Sequence, residues 1–264
     1  MKSTTNKVFS IAFAAFLLLS CAINSRAQTT QATPPPPTAP HSAVFPKPVE
    51  KNLPNGLRVI VIPRTQMPLV TAQLLIKSGG EVDPADLSGV ADITASLLTR
   101  GTTTKSATQI AEAIEALGGT LNSSASWDSS SISTNVMSPR FAQALEILAD
   151  VARNPNFKDE EIDRQRRQYL NGLRGALATP GSIARFVAAR VVYHDAPYGH
   201  PLSGTPESLP RIKRDDIVRI HSTYYRPDNA ILVIGGDITP ENGFALAQKY
   251  LGDWQNPPNA LPTV

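Results

Sequence analysis

The chain has 264 residues, enough for one large domain or two small ones. Its formal net charge is +3, but three basic residues, Lys2, Lys7 and Arg26, lie in the first 27 residues, which contain no acid. The remaining basic and acidic residues balance, so charge gives no support for nucleic acid or an anionic membrane as a partner. Cys21 is the single cysteine, which excludes structural disulfides and cysteine-based zinc or nucleophile chemistry from the folded part.

The first 27 residues have the pattern of a secretory signal peptide. Residues 1–7 carry two lysines, and residues 8–20 are almost wholly apolar. A basic start followed by a short apolar run is typical of export signals, and the run is too short for a permanent membrane-spanning helix. We therefore expect an exported protein of a bacterial periplasm or cell envelope, or otherwise a secreted one.

Two cleavage sites are compatible with this signal. Residues 25–27 (Ser-Arg-Ala) place small residues as ordinary signal peptidase requires, whereas residues 18–21 (Leu-Leu-Ser-Cys) resemble a lipobox, in which Cys21 would be lipidated. The sequence leaves both open. Residues 28–48 include four consecutive prolines and predict an extended, Pro-rich tether that cannot build a core.

The folded part is predicted over residues 49–255, followed by a linker or tail over residues 256–264. Short apolar runs and alternation of apolar with polar residues predict strands over residues 57–62, 69–77 and 230–234. Apolar residues at helical spacing predict helices over residues 87–100, 106–117, 141–153, 159–177, 182–193, 210–224 and 240–251. Together these elements predict an α+β fold, in which a mixed or antiparallel β-sheet is covered by several α-helices.

Residues 120–137 are rich in serine and threonine, which allows either a flexible linker or a pair of strands. Ala125, Trp127, Ile132, Thr134 and Val136 alternate with polar residues around a turn at residues 128–129. This period of two favours two strands.

Several short stretches resemble a known family when their order and spacing are taken together. They are residues 55–59 (Asn-Gly-Leu-Arg-Val), 78–84 (Ser-Gly-Gly-Glu-Val-Asp-Pro), 89–91 (Gly-Val-Ala), 101–102 (Gly-Thr), 198–209 (Tyr-Gly-His-Pro-Leu-Ser-Gly-Thr-Pro-Glu-Ser-Leu), 225–230 (Tyr-Arg-Pro-Asp-Asn-Ala) and 236–237 (Gly-Asp). The pattern resembles the N-terminal-type domain of the insulinase/pitrilysin/mitochondrial-processing-peptidase (M16-type) zinc peptidases over about residues 53–254. The resemblance implies the insulinase-like metallohydrolase fold.

The zinc motif of that family is degenerate here. In active members the helix after Gly-x-Ala carries His-x-x-Glu-His, whose histidines bind Zn²⁺ from one helix face while the glutamate acts as general base. The corresponding positions here are Asp92, Ala95 and Ser96. The family's third ligand, a glutamate, corresponds to Asn171 or Gly172, and neither supplies a carboxylate. The resemblance therefore implies no catalytic residue and no metal in this chain, with zinc only in an active partner.

The histidines offer no replacement site. His194 and His200 flank a turn and could form a metal pair with Asp195, but helix-end capping and a loop contact are favoured. His221 is predicted to be a packed polar residue on a helix, and His41 lies in the tether.

The resemblance implies a non-catalytic homologue that helps to form a peptide-binding chamber. Its expected partner is a motif-bearing M16-type subunit, in a heterodimer, or a second domain beyond Val264, with peptides as substrates. Two alternatives remain open. One is an envelope-tethered peptide-binding or scaffold module, and the other is a metallopeptidase with atypical ligands.

Overall fold

A six-stranded mixed β-sheet with helices packed on one face is the architecture that the computed structural model describes for residues 46–262. The strands are β1 (Val49–Asn52), β2 (Arg58–Pro63), β3 (Leu69–Ile76), β4 (Thr120–Ala125), β5 (Ser130–Met137) and β6 (Ala230–Gly236). The helices are α1 (Val90–Leu97), α2 (Ala107–Ala116), α3 (Phe141–Arg153), α4 (Asp159–Leu177), α5 (Pro180–Tyr193), α6 (Arg214–Tyr224) and α7 (Pro240–Leu251). The predicted α+β fold class is confirmed. The proposed signal peptide, Cys21 and most of the tether lie outside the described residues.

The strand order is β1-β2-β6-β3-β5-β4. β2 and β6 are parallel, and every other neighbouring pair is antiparallel. The last strand of the chain therefore lies in the middle of the sheet, which explains why its alternate residues, such as Leu232 and Ile234, are completely buried. The predicted hairpin is confirmed, since β4 and β5 pair in register around residues 126–129.

The core lies between one face of the sheet and the helices. Alternate strand residues such as Val61, Leu74 and Ile132 are fully buried and belong to one cluster with apolar residues of every helix except α5. The opposite face of the sheet is partly open, with half-buried Ile60 and Val233 among its residues. One covered face and one open face are common in sheets with antiparallel strands.

Several element boundaries differ from the predicted ones for local reasons. β1 was not predicted, because its four residues are exposed and show no alternation; it pairs with β2, where Glu50 binds Arg58 (2.6 Å). α5 begins two residues early because Pro180 fits the first helical turn. α6 begins at Arg214 rather than 210, after a lysine whose backbone N–H donates to Asp216.

Helix α1 begins directly after Gly89, where a positive φ and a close backbone approach both require glycine. Gly89 has φ of +92°, and a Cβ atom at this position would lie 2.7 Å from the backbone nitrogen of Gly204. After Leu97 the helix tightens into a 3-10 turn over Leu98–Arg100, so the predicted helix over residues 87–100 is divided. No helix within residues 46–262 has the length and apolar character that crossing a membrane would require.

Replacing Gly89 with alanine should lower the free energy of unfolding by about 2–4 kcal/mol, because it combines a strained φ with a backbone clash. Gly172→Ala is the matched control. Gly172 lies inside α4 with nothing within 4 Å of an added Cβ, so alanine should raise the free energy of unfolding by roughly 0.5–1 kcal/mol. Urea titrations measure both. Equal effects of the two substitutions would contradict this account of α1.

Candidate functional site

The N-terminus of α1 is fixed by a carboxylate from the preceding loop. The Asp83 side chain accepts hydrogen bonds from the backbone N–H groups of Gly89 (2.6 Å) and Ala91 (2.8 Å). Burial raises the pKa of Asp83 to about 7, although these two N–H donors oppose the rise. This contact orients the helix that carries the predicted site positions.

Asp92 and Ser96 lie four residues apart on one face of α1, as the family motif requires of its two histidines. Both side chains are half-buried, whereas Ala95 is completely buried. Burial raises the pKa of Asp92 to about 6, and hydrogen bonds from the Tyr169 hydroxyl and the backbone N–H of Ala125 oppose the rise. A carboxylate in place of Ala95 would enter the core, where an unpaired charge is strongly unfavourable.

Tyr169 of α4 lies beside these two positions. Its hydroxyl donates a hydrogen bond to the backbone carbonyl oxygen of Asp92 (3.4 Å), and the side chains of Asp92, Ser96 and Gln165 lie near it. Burial, together with the nearby charge of Asp92, raises the pKa of Tyr169. The phenol hydroxyl is therefore neutral at physiological pH and joins α1 to α4.

Gln165 lies near the same hydroxyl, one turn before Tyr169 on α4. Its side chain is only 5% exposed, and its Oε1 atom has no hydrogen-bond partner among the described residues. Neither Gln165 nor Tyr169 was predicted from sequence as a site residue. Their spacing was the available signal, because they continue the buried face of α4 marked by Ile162 and Leu173.

Asn171 and Gly172 lie on an exposed part of α4. The Oδ1 atom of Asn171 accepts a hydrogen bond from Arg174 (3.0 Å). The positions predicted for a third ligand thus differ from the position that contacts α1, which is Tyr169.

The histidines lie in separate environments. His194 is exposed, with φ of +53°, and the neighbouring Asp195 binds Arg190 rather than a histidine. His200 lies against Trp127, with 5.3 Å between ring centroids. The Nε2 atom of His221 donates to the carbonyl of Ala152 (2.9 Å), and burial lowers the His221 pKa to about 4.

No group of three or more histidine, cysteine, aspartate or glutamate side chains with metal-binding geometry is present among residues 46–262. The acidic residues at the start of α4 form ion pairs along the helix. Glu161 binds Arg164, and Asp163 binds Arg166 (2.5 Å), both three residues apart. These carboxylates therefore stabilise the helix start.

Comparison with known proteins identifies two family models in the chain. The model of insulinase (peptidase family M16) matches residues 58–205, which is more than half of the chain, and that of the peptidase M16 inactive domain matches residues 211–264. An uncharacterized zinc protease of Rickettsia bellii is 27% identical over 189 residues, covering 72% of this chain and 46% of that protein. Human cytochrome b-c1 complex subunit 1 is 23% identical over 214 residues, covering 80% of this chain and 44% of that subunit.

The fold agrees with these matches. The crystal structure of a protease from Helicobacter pylori superposes with a TM-score of 0.79 at 25% identity, covering 83% of this chain and 54% of that chain. The present chain therefore spans about half the length of the proteins that it matches.

Asp92→Asn should stabilise the protein at neutral pH but not in acid. The folded-state pKa of about 6 lies above the ordinary value of 3.8, so the stability contributed by protonated Asp92 is complete below about pH 3.8 and is lost as pH rises through about 6. One pKa unit corresponds to about 1.4 kcal/mol, and the partial exposure of Asp92 reduces the effect. We therefore expect Asp92→Asn to raise the free energy of unfolding by about 1–2 kcal/mol above pH 7.

Urea titrations of both proteins at pH values from 4 to 8 measure this difference. Asp83 titrates in both proteins. The charge of Asp92 is a minor cause of its raised pKa, after burial, so most of the Asp83 titration cancels in the comparison. A difference that does not change with pH would show that Asp92 is not the group responsible.

Proposed function

Because the chain belongs to the insulinase family, peptidase family M16, we propose that it is a non-catalytic member that acts as the partner subunit of an active M16 peptidase. In this role it helps to form the chamber in which the peptidase holds peptides. The observation that carries the proposal is the place of Tyr169. Its hydroxyl donates to the backbone carbonyl oxygen of Asp92 (3.4 Å) and lies near the side chains of Asp92 and Ser96, the two positions from which the family motif would bind a metal.

The residues at this position do not fit zinc. Zn²⁺ in proteins takes three or four nitrogen, sulfur or carboxylate ligands. The two helix positions supply one carboxylate, from Asp92, and one neutral hydroxyl, from Ser96. Ala95 supplies no base for activating water. We therefore propose that zinc belongs to the partner and not to this chain.

Two observations support a role in an assembly. The sheet has one face that its own helices leave partly open, where Met67, Leu69 and Met137 are among the exposed apolar residues. One relative is named as a subunit of the cytochrome b-c1 complex. Open apolar surface favours contact with another domain or subunit.

We also propose that the protein acts outside the cytoplasm. The support is the signal-like pattern of residues 1–27 and the Pro-rich residues 28–48. Mass spectrometry of the mature N-terminus decides between a start at residue 28 and a lipidated Cys21. A lipidated start would favour the second candidate function, an envelope-tethered peptide-binding module. An intact Met1 on protein from the cell would contradict export.

Zinc content and peptide cleavage should be measured on the purified protein alone, on a motif-bearing M16 peptidase from the same organism, and on the mixture. We expect less than about 0.1 zinc per chain and no chelator-sensitive cleavage by this protein alone, because its ligands are absent. Mixing should raise the cleavage rate of the peptidase. Stoichiometric zinc with intrinsic cleavage would overturn the proposal.

Tyr169 itself should obstruct a rebuilt metal site. We expect the double variant Asp92→His, Ser96→His to bind zinc at least about tenfold more weakly than the same variant with Tyr169→Ala added, since the hydroxyl of Tyr169 lies beside both positions. Competition titrations with a zinc-sensitive dye measure the affinities, and circular dichroism checks folding. Equal affinities would show that Tyr169 does not block the position.

A further inference from the structure

Four aromatic rings lie side by side where the turn of the β4–β5 hairpin meets the end of α5. The ring centroid of Trp127 lies 5.4 Å from that of Tyr198 and 5.3 Å from that of His200. Tyr193 extends the row, 5.5 Å from Tyr198, and is 47% exposed, whereas the other three side chains are half-buried. The rings are inclined to one another by 47°, 55° and 57°, so no ring face is covered by a flat stack. We call these four residues the aromatic cluster.

The backbone that carries the cluster is fixed by close approaches. The N–H group of Glu81 donates to the carbonyl of Trp127 (3.0 Å), and a Cβ atom at Gly80 would lie 3.1 Å from the indole ring. Gly199 has no room for a Cβ atom against the carbonyl oxygen of His194, so the turn that carries Tyr198 is held against the end of α5. The rings are therefore in place before a ligand arrives, which lowers the cost of binding.

Two carboxylates adjoin the cluster. Asp128 is exposed and accepts a hydrogen bond from the hydroxyl of Tyr198. Glu81 is half-buried and accepts one from the backbone N–H of Gly79 (2.7 Å). The hydrogen bond to Asp128 is the main cause of the raised pKa of Tyr198, and the charges of Asp128 and Glu81 add to it. Both carboxylates therefore act on the same aromatic surface.

Within residues 46–262 neither carboxylate forms an ion pair. The nearby cations are engaged elsewhere, since Arg190 binds Asp195 and the ammonium of Lys77 lies 3.4 Å from a backbone carbonyl oxygen. The cavity that His200 also lines has three carboxylates and two arginines, so it adds no excess of positive charge. The cluster thus combines uncovered aromatic faces with unpaired negative charge.

This combination distinguishes between ligands. The face of a tryptophan or tyrosine ring attracts an ammonium or guanidinium group that lies within about 6 Å. An apolar side chain would gain contact with the rings but nothing from the carboxylates, and an anion would be repelled by them. A guanidinium group fits best, because it is flat enough to lie on a ring and also donates to carboxylates.

We propose that the aromatic cluster, together with Glu81 and Asp128, binds the cationic side chain of an arginine or lysine in a peptide. The proposal rests on the proposed function, which supplies a peptide as the bound molecule, and adds the side chain that this chain selects. The rings provide contact area, and the two carboxylates provide selection for positive charge.

Two heptapeptides that differ in one side chain test the site on the purified protein alone. One carries arginine at its centre, and the other carries citrulline, which has nearly the same shape without the charge. Isothermal titration calorimetry measures both affinities. The arginine peptide should bind at least about tenfold more tightly, and its affinity should fall as salt is added.

The variants Asp128→Asn and Tyr193→Leu should each weaken binding of the arginine peptide at least about threefold. Asparagine keeps an oxygen that can accept from Tyr198, and Tyr193 is exposed, so neither change should unfold the protein. Glu112→Gln is the matched control, because it removes an exposed carboxylate on α2. It should bind like the wild type, and thermal melts check that all variants are folded.

Preference for arginine that both site variants reduce and the control retains supports the proposal. Equal binding of the two peptides, or no binding of either, overturns it, and so does a preference that neither site variant changes. Sedimentation with phosphatidylethanolamine vesicles tests a lipid amine as the occupant, and vesicle binding without peptide preference also overturns the proposal. A peptidase partner that is still activated on mixing would then leave the proposed function intact.

Discussion

The insertion of β6 between β2 and β3 is the constraint on which the rest of this structure depends. β6 is the last strand of the described chain, yet it pairs along its length with two of the first three strands. The helices of the segment between β3 and β6 then cover the face that holds Leu232 and Ile234. Helices α1 and α4 thereby come to lie on the same side of the sheet, close enough for their side chains to share a hydrogen-bond cluster.

That cluster joins the two helices through polar side chains. The phenol hydroxyl of Tyr169 donates to the backbone carbonyl oxygen of Asp92, and the side chains of Asp92, Ser96 and Gln165 lie near it. The arrangement is not optimal for stability, because Asp92 is partly desolvated and Gln165 retains an unpartnered oxygen. Polar groups that are buried at some cost are common at functional sites.

Much of the fold could be predicted because local patterns agree with tertiary structure. The helices over residues 141–153, 159–177 and 240–251 have the predicted bounds, since apolar spacing and end signals coincide there. β1 could not be predicted, because a short exposed edge strand carries no periodic pattern. The strand order depends on pairing between distant residues, which no local window contains.

The candidate site was predictable from sequence only in part. A motif comparison located Asp92, Ala95 and Ser96, because α1 keeps the helical spacing of the family. It indicated Asn171 and Gly172 on α4, whereas the contact across the two helices is made by Tyr169. A motif comparison indicates which residue stands at the position of a ligand. The rotation of α4 about its own axis decides which of its side chains faces α1, and a motif comparison does not give that rotation.

The late position of β6 also has a consequence for folding order. Until residues 230–236 have left the ribosome, β2 and β3 cannot be bridged, so the sheet of a growing chain remains incomplete. Contacts between such distant segments form slowly. The facing edges of β2 and β3 therefore stay unpaired until β6 is available, and an unpaired strand edge is a place where chains can associate wrongly.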